Sequence, residues 1–370
     1  MKRCLLELLC CPVCQGLFKL TPFAEGADVE EGLLTCTGCA RVFPVINGIP
    51  RLLPDELAHM VVRAHRSFFQ RHAEAMTSYV ARCQAPSRER WWRAEQRTVK
   101  SFSYQWRTFK KMLPHWEGVF RDSIAPIEPS FFHDKVGLDA GCGFGRSLHY
   151  AASYGAEMIG IDLSEAVEAA RDNTRQFPGV HLVQGDLYHL PIRAHSLDFV
   201  YSIGVLHHLP DPKGGFVALT RLLKPEGEIF IWVYARGRGR QIPFLTLMRA
   251  VSTHLPLRIL NPVCLVCAGI EWFLWVIPYR LLSRFAPTRG LARRLPFTFH
   301  ARFPFYVAHT DWFDGLSVPL VHYHRREEIA AWFREAGLRQ HGADPLWGKE
   351  GGGRARGGTS AFLQEEASLR

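Results

Sequence analysis

Three absences in the sequence are informative. No uninterrupted apolar run reaches the roughly twenty residues that a bilayer-spanning helix takes. The opening stretch, MKRCLLELLCCPVC, has a glutamate within its short apolar segment and no small-residue cleavage site after it, so we expect no processed export signal. Residues 236–302 contain no lysine, no aspartate and a single glutamate. Together these absences favour a cytoplasmic protein with one strongly basic region.

Cysteine is plentiful, but its pattern is not typical of disulfides. The chain has ten cysteines, and six of them form CxxC pairs. Cys11 and Cys14 in CPVC are followed by Cys36 and Cys39 in CTGC. Two such turns can place four thiolates around one ion in a tetrahedral zinc site, which is structural because no coordination position stays open. The alternative is buried or redox-active cysteine, which needs no second pair at this spacing.

The segment around these cysteines resembles a known family. LLELLCCPVCQGLF and LLTCTGCARVFPVINGIPRLLPDE are similar to the small zinc-ribbon proteins that bind and activate methyltransferases. The resemblance covers about the first 56 residues and is most specific at the four cysteines and at FPVINGIPRLL. It implies a zinc ribbon at 1–56 that acts as a built-in version of such a partner.

Residues 57–132 follow a helical pattern, with apolar residues three and four positions apart and many arginines between them. Within this region SFSYQW, residues 101–106, places three aromatic side chains at alternate positions. Burial in a core explains such a stripe. The alternative is a lid in which Tyr104 or Trp106 covers a cofactor, so we predict a helical linker or lid.

A glycine-rich turn follows the next predicted strand, in VGLDAGCGFGR. Asp139 ends the apolar strand, and Gly141, Gly143 and Gly145 occupy every second position before a predicted helix. Strand, glycine turn and helix form the first unit of a doubly wound sheet, whose ligands lie beyond the carboxyl ends of the strands. A dinucleotide site would have the spacing GxGxxG. The spacing GxGxG after an acidic residue instead favours a ligand with a cationic amine.

Three further predicted strands end in features of the same kind. Asp162 ends the second strand and is placed to accept hydrogen bonds from both hydroxyls of a ribose, with Ser164 capping the next helix. Asp186, followed by Leu187, ends the third strand and suits an adenine amino group. A fourth strand runs into SIGVLHHLPDP, and LLKPEGEIFIWVYA predicts a fifth.

These consecutive motifs resemble those of class I S-adenosylmethionine (SAM) dependent methyltransferases, especially the branch of quinone and other small-molecule enzymes. The resemblance covers residues 135–235. It implies an α/β fold: a seven-stranded, doubly wound, Rossmann-like sheet with an N-terminal zinc ribbon and a helical insertion after strand five. It implies SAM as cofactor beside structural Zn²⁺. The implied SAM contacts are Asp139, Gly141, Cys142, Gly143 and Gly145 at the methionine part, Asp162 and Leu163 at the ribose, Asp186 and Leu187 at the adenine, and Ser202, Ile203 and Gly204 at the methyl-transfer mouth.

Two histidine pairs are candidates for proton transfer to or from a methyl acceptor. His207 and His208 follow the fourth strand, where a general base would assist a hydroxyl, phenol or enolisable carbon. The alternative is that one of them only packs or hydrogen-bonds in its loop. His322 and His324 in HYH could line the acceptor pocket, or lie at the surface as a helix cap.

The insertion after strand five carries the charge of the whole chain. Residues 236–302 hold eleven arginines and one acidic residue, Glu271, an excess that equals the net charge of +10. Its apolar stretch NPVCLVCAGIEWFLWVIPYRLL is interrupted by Glu271 and flanked by Pro262 and Pro278. A basic, Trp-containing helix of this kind suits the surface of an anionic membrane. The alternative is a cap over the acceptor pocket. Cys264 and Cys267 have no partner pair, so we interpret them as core cysteines.

Five segments and three functional hypotheses follow. We predict a zinc ribbon at 1–56, a linker or lid at 57–132, a SAM-binding core at 133–235, the basic insertion at 236–324, and a final helix with a closing hairpin at 325–370. The favoured hypothesis is a cytoplasmic methyltransferase for a small or lipid-like acceptor, which is peripheral at the inner membrane surface if the insertion is a membrane element rather than an acceptor cap. The alternatives are an RNA methyltransferase that uses the Arg-rich insertion, and a non-catalytic SAM-binding partner protein. Against RNA, SIGV stands where amino-group methylation of nucleic acids usually has an Asn-Pro-Pro-aromatic motif.

Overall fold

The fold is built on one mixed sheet with helices on both of its faces. The computed structural model describes residues 1–83, 90–236, 241–296 and 298–338, without the side chains of 90–95 and 241–244. The described part contains nine strands in the order β1-β2-β3-β4-β7-β6-β5-β8-β9. The first four come from the cysteine-rich segment and the last five from the glycine-turn segment.

The cysteine-rich segment forms an antiparallel meander. Its strands are β1 (Phe18–Glu25), β2 (Val29–Cys36), β3 (Val42–Ile46) and β4 (Ile49–Leu52). Helices follow through the predicted linker: α1 (Asp55–Ala64), α2 (Arg66–Arg71), α3 (Ala73–Arg82), α4 (Arg90–Thr108) and α5 (Trp116–Ile124). The helical pattern predicted for this region is therefore confirmed as secondary structure.

The glycine-turn segment forms five parallel strands. They are β5 (Val136–Ala140), β6 (Glu157–Asp162), β7 (Val180–Gly185), β8 (Leu197–Ile203) and β9 (Leu223–Trp232). The helices between them are α6 (Arg146–Ser153), α7 (Ala166–Thr174) and α8 (Pro212–Thr220). The strand order reverses direction between β5 and β8. In doubly wound sheets the ligand lies at the carboxyl ends of the strands at such a reversal.

The two segments share the sheet, which corrects the predicted strand number from seven to nine in the described part of the chain. β4 pairs in parallel with β7, with Arg51 opposite Gln184 and Leu52 opposite Gly185. The reason is that β7 would otherwise leave an open edge, and the ribbon covers it. The predicted closing hairpin, in GTSAFLQEE, lies outside the described residues.

A buried arginine stabilises the contact between β4 and β7. The Arg51 side chain is fully buried, and its guanidinium donates to the Gln184 side chain at 3.1 Å and to the Ile46 carbonyl at 3.2 Å. It also pairs with Glu168 on α7, while Glu165 lies 4.0 Å away. The carboxylates of Glu165 and Glu168 are thus neutralised by an arginine.

The basic segment folds into helices that pack beyond the end of β9. They are α9 (Gln241–Ser252), α10 (Leu257–Glu271), α11 (Ile277–Leu282), α12 (Arg289–Ala292) and α13 (Phe305–Ser317), and α14 (Arg326–Glu335) follows. A single π turn, Trp272–Val276, joins α10 to α11 without a break. Glu271 interrupts the apolar stretch in the sequence but does not end the helix, because it finds buried partners, and the flanking Pro262 is accommodated inside α10. The resulting helix is long and apolar enough to cross a membrane.

Candidate functional site

The glycine turn after β5 adopts the backbone that its sequence predicts. Gly141, Gly143 and Gly145 all have positive φ, at 86°, 52° and 82°. A Cβ on Gly141 would lie 2.4 Å from the Val205 side chain, so the turn has no room for one. A Cβ on Gly143 would lie 3.2 Å from Nε1 of Trp106. Only glycine combines this conformation with such close approach.

Asp139 lies at the bottom of the turn and is almost completely buried. Burial raises the pKa of its carboxyl to about 8, although the Tyr201 hydroxyl donates a hydrogen bond to it at 3.2 Å and opposes the rise. The nearby Asp162 carboxylate contributes to the rise. A buried carboxyl with a single side-chain donor is well suited to bind a cationic group.

Asp162 sits across the turn and ties it to the start of α7. Its carboxylate accepts from the Gly143 N–H at 2.9 Å on one oxygen, and from the Ser164 N–H at 2.8 Å and hydroxyl at 2.6 Å on the other. The Ser164 hydroxyl in turn accepts from the Ala166 N–H at 3.2 Å, close to the predicted cap. A carboxylate has about four acceptor positions. The remaining capacity for a ribose hydroxyl is therefore on the oxygen that faces Gly143.

The residues at the predicted adenine position already have hydrogen-bond or packing partners within the protein. Asp186 accepts from Nδ1 of His189 at 2.6 Å and from the Tyr188 N–H at 3.3 Å. The hydrogen bond with Asp186 raises the pKa of His189. Leu187 is buried in the main hydrophobic core, and the carbonyl of Leu163 accepts from the Gln184 amide at 3.0 Å.

The end of β8 closes the site from the other side. Ser202 is fully buried, and its hydroxyl donates to the Ala140 carbonyl at 3.0 Å, which fastens β8 to β5. Gly204 has a positive φ of 77° beside the partly buried Ile203. Cys142 is buried, and its backbone N–H donates to the Ile161 carbonyl at 2.9 Å. Ser202 and Cys142 therefore shape the site through packing and backbone geometry.

Helix α4 covers the glycine turn with two aromatic side chains. Trp106 lies against Gly143 and packs 5.1 Å from the Phe144 ring. Phe102 stacks on Trp106 at 6.4 Å and meets the His208 ring edge-on at 5.1 Å. Tyr104 faces the other way and stacks on Phe313. Of the two aromatic side chains considered for a lid, Trp106 is the one at the turn.

The histidines gather around Tyr234 at the end of the sheet. His207 is completely buried and stacks on Tyr234 at 3.9 Å, and neither of its ring nitrogens has a hydrogen-bond partner in the described structure. Burial, reinforced by the neighbouring His208, lowers its pKa well below the ordinary value. Nδ1 of His208 contacts the Leu320 carbonyl at 2.8 Å, which fixes Nδ1 as the protonated nitrogen and leaves Nε2 to accept.

The HYH segment joins the same cluster. The His322 N–H donates to the His207 carbonyl at 2.8 Å, and the His324 N–H donates to the Tyr234 carbonyl at 2.9 Å. The His324 ring meets Glu328 of α14 at 2.9 Å. Arg249 of α9 donates to the Tyr323 hydroxyl at 3.1 Å. The structure thus brings both predicted histidine pairs together at one end of the sheet.

The four cysteines of the two CxxC pairs converge. The sulfur atoms of Cys11, Cys14, Cys36 and Cys39 all lie within 4.8 Å of one another. Two of the cross-pair separations are 3.7 Å, Cys11 to Cys39, and 3.4 Å, Cys14 to Cys36. Four sulfurs about 2.3 Å from a central zinc ion would be spaced in this way, so the donor set fits structural Zn²⁺.

Sequence reasoning missed two residues that contact or face the site. Tyr201 has no motif signal, because only the pairing of β5 with β8 brings its hydroxyl to Asp139. Arg146 opens α6 directly after the glycine turn, and its guanidinium lies over the Trp116 ring at 4.7 Å. Burial lowers the pKa of Arg146, while Asp311, Asp139 and Asp314 oppose the shift. Its place just after the third glycine is the signal that could have found it.

Two segments of the chain match known families. Residues 138–231 match the methyltransferase domain family, and residues 2–48 match the Trm112p-like protein family. The chain therefore carries a SAM-type methyltransferase domain and a Trm112p-like zinc ribbon in one polypeptide.

Individual relatives are similar over part of their length. The chain is 36% identical over 105 residues to a demethylmenaquinone methyltransferase of Staphylococcus haemolyticus, covering 26% of this chain and 44% of that one. It is 33% identical over 147 residues to a tRNA U34 carboxymethyltransferase of Aliarcobacter butzleri, covering 34% and 46%. It is 29% identical over 163 residues to a ubiquinone biosynthesis O-methyltransferase of Vibrio cholerae, covering 40% and 61%. The chain thus spans less than two thirds of the length of these relatives.

Among solved structures, the complex of the Haloferax volcanii Trm112 methyltransferase activator with a methyltransferase is similar over 67% of this chain and 78% of that chain. The identity is 15% and the TM-score 0.38.

Proposed function

We propose that this chain is a SAM-dependent methyltransferase that acts on a small or lipid-like acceptor in the cytoplasm. The observation that carries the proposal is the placement of three carboxylates, Asp139, Asp162 and Asp186, at the ends of three adjacent parallel strands around a tight glycine turn. The match of residues 138–231 to the methyltransferase domain family supports the same reading.

The charges around the turn complement a methionyl group. Asp139 would bind the cationic amine, and Arg146 is placed at the start of α6 to bind the carboxylate. Asp162 would hold a ribose hydroxyl, and Asp186 the adenine amino group in competition with His189. When bound, SAM supplies an electrophilic methyl group, so the protein has to align the acceptor and remove its proton.

His208 is the better candidate for the general base. Its ring orientation is fixed by the Leu320 carbonyl, and burial lowers its pKa, which keeps the imidazole neutral and able to accept a proton. His207 is enclosed by Tyr234 and has neither ring nitrogen engaged, so we assign it a packing role. His322 and His324 would line the acceptor side of the same cluster.

Methyl transfer and cofactor binding test this proposal separately. The chain is incubated with methyl-labelled SAM and fractionated cell extract, and label is sought in lipid, metabolite and RNA fractions. Asp162→Ala should abolish both the calorimetric signal of SAM binding and the transfer. His208→Gln should keep SAM affinity but lower kcat by about 10²-fold or more, as expected for a lost general base; His207→Gln is the matched control.

The outcomes separate the alternatives. Heat of binding with a nicotinamide dinucleotide and none with SAM contradicts the proposal. SAM binding with no labelled product in any fraction favours a non-catalytic partner protein. Equal kcat for His208→Gln and the wild type removes His208 as the base.

RNA is the second candidate acceptor, because one relative is a tRNA U34 carboxymethyltransferase and residues 236–302 hold eleven arginines. If RNA is the acceptor, label appears in the RNA fraction and RNA binding weakens steeply as salt rises.

A further inference from the structure

The helix Leu257–Leu282 exposes an apolar face that nothing in the described structure covers. It is 26 residues long, and most of it is accessible to solvent. Its exposed large apolar side chains are Ile259, Val263, Leu265, Val266, Ile270, Phe273, Leu274 and Leu281. Apart from Leu265, these positions are mostly three and four residues apart, so they line one side of the helix. The side chains are well exposed, with Val266 at 62% and Phe273 at 73%.

The opposite side of the same helix packs against the rest of the protein. Leu260, Cys264, Ala268 and Glu271 are buried there, in contact with α13. Glu271 accepts from the Trp312 indole at 2.6 Å and meets Nδ1 of His300 at 2.5 Å. A helix with one packed side and one exposed apolar side cannot be surrounded by lipid. The geometry therefore fits a helix that lies flat on a bilayer rather than one that crosses it.

The exposed charges of the segment that carries this face all have one sign. Five arginines are exposed along and after the helix: Arg258, Arg284, Arg289, Arg293 and Arg294. Residues 236–302 contain no aspartate, and their single glutamate is the buried Glu271. The helix that carries the exposed apolar stripe thus lies in a segment that has exposed cations and no exposed carboxylate among its described residues.

We propose that this face is a docking surface for an anionic lipid bilayer, with the stripe inserted at the level of the headgroups and the arginines on the phosphates. A second copy of the chain is a poorer occupant, because two such faces would bring like charges together. RNA would use the arginines but would leave the apolar stripe in water. Only an anionic bilayer satisfies both features at once.

Helix α9 connects the docking surface with the acceptor end of the sheet. This helix turns Arg249 toward Tyr323 of the histidine cluster, while Leu247 is 71% exposed and Val251 is also exposed. Both α9 and α10 pack on α13. Resting on the proposed function, this arrangement would present the acceptor site to a substrate that is dissolved in the membrane.

Vesicle flotation with the full chain tests the docking surface. Phosphatidylcholine vesicles are compared with vesicles that also contain phosphatidylglycerol. We expect flotation with the anionic vesicles that weakens as salt is raised. Val266→Glu with Phe273→Glu should abolish it. Replacing Arg289, Arg293 and Arg294 together by glutamine should weaken it by about 100-fold, at the usual contribution of each basic residue near an anionic surface.

The matched control is Val80→Glu on α3, another exposed valine, at 44% exposure, away from the face. It should float like the wild type. Circular dichroism and urea denaturation on each variant show that the protein is folded, so this test does not depend on SAM binding. Absence of flotation in a folded wild type overturns the proposal. So does a solution dimer that Phe273→Glu dissociates without any vesicle binding, or resistance to carbonate extraction, which would indicate a spanning helix.

Discussion

Two carboxylates of the candidate site differ in character because of their immediate partners. Asp162 accepts hydrogen bonds from Gly143 and from Ser164, which favour its charged form and oppose the rise that burial imposes on its pKa. Asp139 has one side-chain donor, Tyr201, and burial raises its pKa to about 8. Asp162 therefore organises the turn, whereas Asp139 is the group that a cationic ligand would ionise.

SAM affinity should therefore rise with pH through the titration of Asp139. Below about pH 8 the carboxyl of the ligand-free protein holds a proton, which a cation must displace. The dissociation constant should fall on the order of tenfold between pH 6.5 and 8, measured by calorimetry in buffers of different ionisation enthalpy. Binding near pH 7 should release protons.

Asp139→Asn is the control for this titration. It should bind SAM weakly and with the same affinity across that pH range. A wild type whose affinity is flat between pH 6.5 and 8 would contradict the assignment of Asp139 to the cationic amine.

Among the elements of the basic insertion, a buried ionic cluster joins α10 to α13. His300 lies between Glu271 of α10 and Asp311 of α13, with contacts of 2.5 and 3.0 Å. Burial lowers the pKa of His300, but the hydrogen bonds to Asp311 and Glu271 outweigh it and raise the pKa to about 9. The protonated imidazole thus joins two helices that sequence alone does not pair.

This cluster should make the insertion less stable in alkali. Because the folded-state pKa of His300 is raised above its ordinary value of 6.5, its contribution is complete below pH 6.5 and is lost as the pH rises through 9. The free energy of unfolding should fall by up to about 3 kcal/mol over that range, measured by urea denaturation. His300→Gln should be less stable at pH 6 and should lose less between pH 6 and 9. An equal loss in both proteins would show that other groups set the pH dependence.

At the scale of the whole molecule, the zinc ribbon is an extension of the cofactor sheet rather than an appendage. β4 pairs with β7, and Arg51 binds Gln184, whose amide also donates to the Leu163 carbonyl next to Asp162. Two hydrogen bonds in series, both made by the Gln184 side chain, connect the zinc ribbon to the predicted ribose position. Whether the zinc ribbon is folded should therefore influence cofactor binding.

Removal of zinc should consequently destabilise the whole sheet. Cys36→Ser should lower the Tm on the order of 10 °C, because a structural zinc site contributes folding free energy directly, and should weaken SAM binding as well. Calorimetric scanning and titration check both effects. Cys4→Ser, at an exposed cysteine outside the four-sulfur cluster, is the matched control. An unchanged SAM affinity in a zinc-free chain would show that the ribbon and the cofactor site are independent.

The features that can be predicted from the sequence are those whose signal is local. Two CxxC pairs define a zinc ribbon, because four thiolates at that spacing have few other uses. GxGxG after Asp139 defines the turn, because only glycine accepts its backbone and close contacts. The strand-end carboxylates followed from the alternation of strands and helices, which places successive carboxyl ends at one edge.

Features that depend on contacts between distant segments could be learned only from the folded chain. The single sheet of nine strands in the described part of the chain follows from the pairing of β4 with β7, which lie more than a hundred residues apart. Glu271 suggested a broken helix until His300 and Trp312 supplied its partners. The proposal of His208 rather than His207 as the base depends on the contact of His208 with the Leu320 carbonyl, which comes 112 residues later. Local periodicity and spacing carry no information on such contacts, because the free energy that selects them arises from burial and hydrogen bonding across the folded chain.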